Sequence, residues 1–405
     1  MKFLTRITFA AALICFTAAA TAAPVPSALG MDAAKLAEIP KRMQAFVDDG
    51  TLAGAVTLVA RHGQIASLEA VGRADIAGEK PMRPDSLFWI ASMTKPITAT
   101  AVLMLQDEGK LNVEDSVEKY LPEFKNQWLV QDRSTNSLTL TRPARSVTLR
   151  DLLTHTSGMG DVPSPRPDST LAEMVMAYSQ QPLRFPPGSK WEYNNPGINT
   201  LGRIVEVQSG RKFEEFLQRR IFEPLGMKDT TFWPTPSQVK RLAKAYRPAK
   251  TGHGLEETDI YFIKGGLSDR KRTPFPAGGL FSTAADVGRF YQMALNGGTL
   301  DGKKIISRES LALMTRTQSG DIKTGFTGGM SWGFGFQVVR EPQGVTASLS
   351  PGAFGHGGAY ATQSWADPKK DLILILMIQR TGFPNGDDSP VRRAFQEAAA
   401  AAIKD

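Results

Sequence analysis

The sequence predicts a mixed α/β fold of the α+β type, in which an antiparallel sheet is built from both chain ends and flanked by helices. Short apolar runs typical of strands occur near both ends, at 55–71 and between 332 and 379. The stretch between them has apolar residues at three- and four-residue spacing, which indicates helices. We therefore expect sheet-forming parts at about 32–91 and 330–405, with a mainly helical part inserted at about 92–329.

The individual elements follow from the same patterns. An amphipathic helix is expected over 32–49 with a kink at Pro40, and Arg61-His62-Gly63 predicts a hairpin turn. The predicted strands are Ala55–Ala60, Gln64–Val71, Trp332–Val339, Phe354–Tyr360, Thr362–Asp367 and Asp371–Gln379. The other predicted helices are Pro96–Asp107, Leu149–Leu153, Leu171–Gln180, Gly197–Gln208, Lys212–Phe222, Ala284–Leu295 and Pro390–Ile403.

Residues 1–22 have the pattern of a secretory signal peptide. Lys2 and Arg6 begin it, an apolar run follows, and Ala20-Thr21-Ala22 offers a cleavage site. We expect residues 23–31 to form a linker and residues 32–405 to form one domain of a secreted, periplasmic protein. No later stretch is apolar for about 18 residues, so no permanent membrane anchor is expected.

Composition excludes several classes of function. The 405 residues are 41% hydrophobic and 22% charged, which is typical of a chain with a sizeable core. The one cysteine, Cys15, lies in the signal segment, so cysteine catalysis is excluded for the mature chain. The four histidines are scattered singly, so we expect no metal and no other cofactor. Arg270-Lys271-Arg272 is the densest basic cluster, but it is short and lacks interleaved aromatics. We interpret it as a solvated loop and expect no nucleic-acid partner.

An activated hydroxyl is the remaining chemistry, and the pattern Ser-x-x-Lys offers one. The pattern starts at Ser92, Ser116, Ser209, Ser237 and Ser268. Only Ser92 follows an apolar run and precedes an apolar helix, whose free N–H groups and dipole would stabilise an oxyanion. Lys95 lies one turn further on and can hydrogen-bond the Ser92 hydroxyl, with a pKa lowered in a partly dry site. The alternative is an ordinary exposed lysine.

A tyrosine is the third candidate. Tyr193-Asn194-Asn195 is the only Tyr-x-Asn among seven tyrosines, and it ends a loop where Pro196 opens a helix. A tyrosine near cationic groups ionises more easily and can pass a proton. We therefore expect Tyr193 to share the site with Ser92 and Lys95. The alternative is a tyrosine that merely anchors its loop.

These motifs resemble the serine β-lactamase/D,D-peptidase superfamily, and most closely the class C β-lactamases and the β-lactamase-like (family VIII) esterases. The resemblance covers roughly residues 32–400 and rests on Ser92–Lys95, Leu152–Gly158, Tyr193–Asn195, Gly278–Thr283 and Gly355–Gly358. It implies that Ser92 is the nucleophile, that Lys95 and Tyr193 handle its proton, and that the N–H groups of Ser92 and Ala359 form the oxyanion hole. By the same resemblance Asn195 orients the substrate or Lys95, and His155 is structural.

The third motif of the family, Lys-[Ser/Thr]-Gly on a strand, has two candidates here. Lys323-Thr324-Gly325 matches the letters but lies in a polar loop, whereas His356-Gly357-Gly358 begins a strand–turn–strand run. We expect His356, Gly357, Gly358 and the following Ala359 to bind the substrate, and Lys323 to have no role. Because histidine is mostly neutral near pH 7, this motif favours esters over substrates that carry a carboxylate.

The expected function is that of a secreted, cofactor-free serine hydrolase that cleaves carboxylic esters through an acyl-enzyme intermediate. One alternative is a β-lactamase or a D-amino-acid peptidase. Another is a non-catalytic binding module on the same fold, which the presence of Ser92, Lys95 and Tyr193 disfavours. The expected partner is a small ester or amide substrate.

Overall fold

An eight-stranded antiparallel sheet joins the two ends of the chain. The computed structural model describes residues 26–162, 166, 168–261 and 263–404. In chain order the strands are β1 Gly54–Arg61, β2 Gln64–Asp75, β3 Lys80–Pro81, β4 Met330–Trp332, β5 Gln337–Val339, β6 Phe354–Gly357, β7 Gln363–Asp367 and β8 Leu372–Met377. Their order in the sheet is β4-β5-β6-β7-β8-β1-β2-β3, with β8 beside β1. The predicted fold class is therefore confirmed.

Helices cover both faces of this sheet. The α-helices of at least eight residues are Glu38–Asp48, Thr94–Asp107, Leu171–Ser179, Asn195–Ser209, Ala284–Leu295, Arg308–Thr315 and Pro390–Ala401. Shorter α-helices occur at Ala33–Leu36, Leu149–Leu153, Phe213–Leu217, Glu223–Leu225 and Pro236–Val239. Small strand pairs join Phe88–Trp89 to Phe281–Ser282, Leu129–Arg133 to Leu138–Thr141, Tyr246–Pro248 to Leu255–Glu257 and Thr299–Leu300 to Lys303–Lys304. No helix within the described ranges has both the length and the apolar character to cross a membrane.

The central strand β8 shows why the sheet has two cores. Successive side chains of a strand point to opposite faces. Leu372, Leu374 and Leu376 pack with the two terminal helices, Glu38–Asp48 and Pro390–Ala401. The alternate residues of β8 pack on the other face with Ala284–Leu295 and the inserted helical part. A strand that is covered on both faces has a continuous apolar sequence. This continuous run was the pattern that predicted strand β8.

One predicted strand is wrong. Trp332–Val339 is not continuous but forms a hairpin of β4 and β5, closed where Gly333 donates a 2.9 Å hydrogen bond to the Phe336 carbonyl. Gly335 has φ of +80° at this turn, a conformation that few other residues adopt without strain. The two glycines let an otherwise strand-like sequence reverse direction.

Two predicted helices are interrupted. The helix expected over 32–49 breaks at Ala37 rather than at Pro40, which lies in the first turn of Glu38–Asp48 where its missing N–H is tolerated. The helix expected over Lys212–Phe222 becomes a π-helical turn at Gln218–Phe222. The predicted signal peptide lies outside the described residues. The division into signal, linker and one domain stays a prediction.

Candidate active site

Ser92 lies at a strained turn between the strand Phe88–Trp89 and the helix Thr94–Asp107. The strand pairs with Phe281–Ser282, and a single turn of 3₁₀-helix, Ala91–Met93, carries the serine into the helix. Ala91 has φ of +46°, which a residue with a Cβ rarely adopts. The N–H groups that follow Ser92 close the turn itself, since the Met93 N–H donates to the Ile90 carbonyl oxygen at 3.1 Å and the Thr94 N–H donates to that of Ala91.

Lys95 contacts the hydroxyl of Ser92 as predicted. Its Nζ lies 3.0 Å from Ser92 Oγ and 2.6 Å from the carbonyl oxygen of Ala277. The side chain is completely buried, and burial lowers the pKa of Lys95 well below its usual value. The lysine is therefore not an ordinary exposed residue of a first helical turn.

The backbone segment Pro276–Gly278 holds Lys95 in place, and the sequence did not reveal it. Thr98 Oγ1 donates to the Pro276 carbonyl at 2.7 Å, and Trp89 Nε1 donates to the Gly278 carbonyl at 2.8 Å. Between them, the Ala277 N–H donates to Asn199 Oδ1 at 3.0 Å. Asn199 lies one helical turn after Asn195 and therefore on the same face of the helix. Helical spacing after the Tyr-x-Asn motif could have indicated that Asn199 also reaches the site.

Tyr193 lies in the same site, but its pKa is shifted in the direction opposite to the one predicted. The ring centroid lies 4.6 Å from Lys95 Nζ, and the hydroxyl is buried close to the Ser92 side chain. Burial raises the pKa of Tyr193 strongly, and the nearby Ser92 side chain opposes this only in part. Desolvation outweighs the one neighbouring amine, so Tyr193 is a neutral phenol at ordinary pH.

His155 fixes the loop that carries Tyr193. Its Nδ1 accepts a hydrogen bond of 3.1 Å from the Asn194 N–H, and its carbonyl oxygen accepts one of 2.9 Å from the Glu192 N–H. His155 follows the short helix Leu149–Leu153 and has φ of +60°. Burial lowers the pKa of His155 well below 6.5, and the nearby Lys95 adds to this effect. This placement agrees with the structural role implied by the resemblance.

His356 lies behind the site rather than in its opening. The side chain is buried, its Nδ1 donates to the Gly357 carbonyl at 2.7 Å, and its ring packs 5.7 Å from Trp332 and 6.2 Å from Tyr193, between centroids. A Cβ on Gly358 would lie 2.7 Å from the Ile90 carbonyl oxygen, so only glycine fits here. The close approach brings the end of β6 against the turn that carries Ser92.

The neutral state of His356 makes the fold sensitive to acid. Burial lowers the pKa of His356 to about 3, with Lys95 adding to the shift. Between pH 6.5 and pH 3 the unfolded chain binds a proton that the folded chain does not. The free energy of unfolding therefore falls as the pH falls, by about 1.4 kcal/mol for each pH unit at most.

We expect His356→Gln to lose about 3 kcal/mol less of its unfolding free energy than the wild type between pH 7 and pH 4.5. Urea unfolding of both proteins at the two pH values measures this difference, and groups that titrate equally in both cancel. Parallel losses in the two proteins would mean that His356 titrates normally in the folded state.

A cavity of about 130 Å³ opens beside Ser92. Ser92, Asn195 and Ala359 line it, whereas Lys95, Tyr193, His356, Gly357 and Gly358 do not. Its walls include the aromatic residues Trp89, Tyr178, Tyr261 and Phe275, none of which the sequence singled out. Arg272 also lines it, so the interpretation of Arg270-Lys271-Arg272 as a solvated loop is wrong for its third residue. In the described part of the chain, no three His, Cys, Asp or Glu side chains come together as metal ligands.

Lys323 lies away from this cavity. It is exposed in the loop between the helix Arg308–Thr315 and β4. The same loop reaches the site through Phe326, whose ring lies 5.0 Å from that of Tyr193 and 5.7 Å from that of Trp191, between centroids. The loop covers Tyr193 with an aromatic ring and not with the lysine.

Comparison with known proteins agrees with this geometry. The family model described as Beta-lactamase matches residues 39–399. Protein Rv1367c of Mycobacterium tuberculosis is 35% identical over 82% of this chain and 87% of its own length. Esterase EstB of Burkholderia gladioli is 31% identical over 92% of this chain and 97% of the esterase. The solved structure of EstCE1, "a hydrolase with promiscuous acyltransferase activity", has a TM-score of 0.73 at 23% identity, over 92% of this chain and 99% of EstCE1.

The fold and the site define a serine hydrolase related to the β-lactamases. The family model covers most of the chain, and two relatives above 30% identity span more than two thirds of it. The chain belongs to the β-lactamase family. The superfamily indicated by the sequence motifs is thereby confirmed.

Proposed function

We propose that this protein is an exported esterase that cleaves small carboxylic esters through an acyl-enzyme on Ser92. The observation that carries the proposal is the 3.0 Å contact between Lys95 Nζ and Ser92 Oγ at the floor of an apolar cavity. The similarity to Esterase EstB along nearly the whole chain favours an ester as the substrate. The signal-like pattern of residues 1–22 favours export to the periplasm.

The charges of the site suggest how the proton of Ser92 moves. A buried lysine with a lowered pKa is a neutral amine for part of the time, and its lone pair can accept the proton of Ser92 Oγ while its own N–H donates to the Ala277 carbonyl. The neutral Tyr193 hydroxyl can then donate a proton to the departing alkoxide and take up the proton that Lys95 holds, so that the alcohol leaves and both side chains return to their neutral forms. In this proposal Asn195, which lines the cavity, orients the ester, and the N–H groups of Ser92 and Ala359, which also line it, bind the oxyanion. Water finally cleaves the acyl-enzyme.

A parallel assay distinguishes the candidate substrates. Short-chain nitrophenyl esters, a chromogenic β-lactam and a D-alanyl peptide are offered to the mature protein. Because the similarity to Esterase EstB favours an ester as the substrate, we expect kcat/KM for the esters to exceed that for the β-lactam. If the protein hydrolyses the β-lactam or the peptide faster than the esters, the proposed esterase function is wrong and a β-lactamase or peptidase function is favoured instead.

Lys323→Ala tests the assignment of the third motif. Because Lys323 is exposed and does not line the cavity, we expect its removal to change kcat/KM for nitrophenyl esters by less than about twofold, as for surface changes away from a site. Lys369→Ala, another exposed lysine that does not line the cavity, serves as a control for the loss of one charge. A loss of activity confined to Lys323→Ala would show that the Lys323-Thr324-Gly325 segment serves the reaction.

A further inference from the structure

The basic cluster Arg270-Lys271-Arg272 divides between solvent and the interior. Arg270 and Lys271 are exposed, but Arg272 is only 2% exposed and forms part of the wall of the cavity beside Ser92. The indole of Trp233 donates a 2.9 Å hydrogen bond to the Arg272 carbonyl oxygen, which holds the backbone in this position. One of three neighbouring cations is thus built into the site.

The guanidinium of Arg272 has no acidic partner within hydrogen-bonding distance among the described residues. Its Nη2 donates to the backbone carbonyl oxygens of Phe232 and Leu267, while Nε and Nη1 are buried and unpartnered. Burial lowers the pKa of Arg272 to about 10, and the nearby Asp269 opposes the shift, so the group is a cation at neutral pH. A buried cation without a counterion is unfavourable unless an anion compensates it.

The cavity as a whole is positive. Its other charged lining residues among those described are Lys264 and Asp161, which are exposed and of opposite sign. Arg272 is therefore the uncompensated charge. Because it lies in a wall of aromatic and backbone groups, its field acts on the cavity more strongly than the same charge would in water.

We propose that the cavity selects esters that carry a carboxylate within a few bonds of the scissile carbonyl, and that Arg272 supplies the attraction. The inference rests on the proposed esterase function and names its substrate class. His356 is neutral, so the positive charge comes from the wall that Arg272 forms and not from the third motif.

Two pairs of matched esters test this selection by pH-stat assay. Monomethyl glutarate and methyl pentanoate differ by a charge on the acyl group, whereas carboxymethyl acetate and propyl acetate differ by a charge on the alcohol. In the wild type we expect the charged member of at least one pair to have the higher kcat/KM. Arg272→Met should lower that charged-to-neutral ratio by at least about tenfold, as expected when one member of a buried charge pair is removed.

Lys271→Met is the matched control, since it removes the neighbouring exposed cation, and its ratio should stay within about twofold of the wild type. A second measurement uses only the wild type and so does not depend on any variant folding. It compares how tightly glutarate and the neutral glutaramide inhibit the hydrolysis of methyl pentanoate. Glutarate should bind at least about tenfold more tightly. Equal binding of the two competitors, together with ratios that favour the neutral ester in both pairs, would overturn the inference while leaving the esterase function intact. No hydrolysis of any of the four esters would overturn the esterase function and this inference with it.

Discussion

Ser92→Ala is expected to lower kcat/KM for a short-chain nitrophenyl ester by about 10⁴-fold or more, the scale seen when a nucleophile is removed from a serine hydrolase. The reason is that Ser92 Oγ lines the cavity and lies 3.0 Å from the amine of the buried Lys95. Ser92 is partly exposed, so losing its hydroxyl leaves packing intact. The thermal unfolding temperature should therefore stay close to that of the wild type.

Ser237→Ala is a matched control for that variant. Ser237 begins another Ser-x-x-Lys match but lies exposed on the short helix Pro236–Val239. We expect this control to keep full activity. If Ser92→Ala retains most of the wild-type rate while remaining folded, the nucleophile is a different group.

Lys95→Met and Tyr193→Phe are each expected to lower the rate of acylation by at least about a hundredfold, the usual effect of losing a proton-transfer group. In the proposed mechanism both side chains act in one proton relay, and Lys95 Nζ lies 4.6 Å from the centre of the Tyr193 ring. Removing the second should therefore cost much less than removing the first. Pre-steady-state release of nitrophenol from the two single variants and the double variant measures this coupling.

The pH dependence of acylation separates the two roles. The pKa of Lys95 is lowered by burial, so the wild-type rate should rise with pH as the amine loses its proton. This limb should vanish in Lys95→Met and persist in Tyr193→Phe, whose phenol is neutral over the same range. If the loss of acylation rate in the double variant equals the product of the losses in Lys95→Met and Tyr193→Phe, the two groups act independently.

The Ser92–Lys95 pair could be predicted because its geometry is local. Three residues on one helical turn bring serine and lysine together wherever the fold places the helix. The apolar run before Ser92 also predicted burial, and burial lowers the pKa of Lys95. The strand β8 was readable for the same reason, since its continuous apolar run is a property of the local chain.

The features that the sequence did not predict depend on distant segments. Tyr193 was expected to ionise more easily, but its pKa is raised because the covering segments, Phe326 among them, exclude water from it. The Ala277 carbonyl meets Lys95 across 182 positions of sequence. Arg272 points inward while Lys271 beside it points to solvent, and nothing in a run of three cations distinguishes them.

Trapping the covalent intermediate tests the central claim most directly. The mature protein is incubated with a fluorophosphonate, and separately quenched in acid during turnover of a nitrophenyl ester, before intact-mass and peptide-mass analysis. We expect one adduct per chain in each case, on the peptide that contains Ser92, and none in Ser92→Ala. An adduct on any other residue, or ester turnover that leaves Ser92 unmodified, would contradict this expectation.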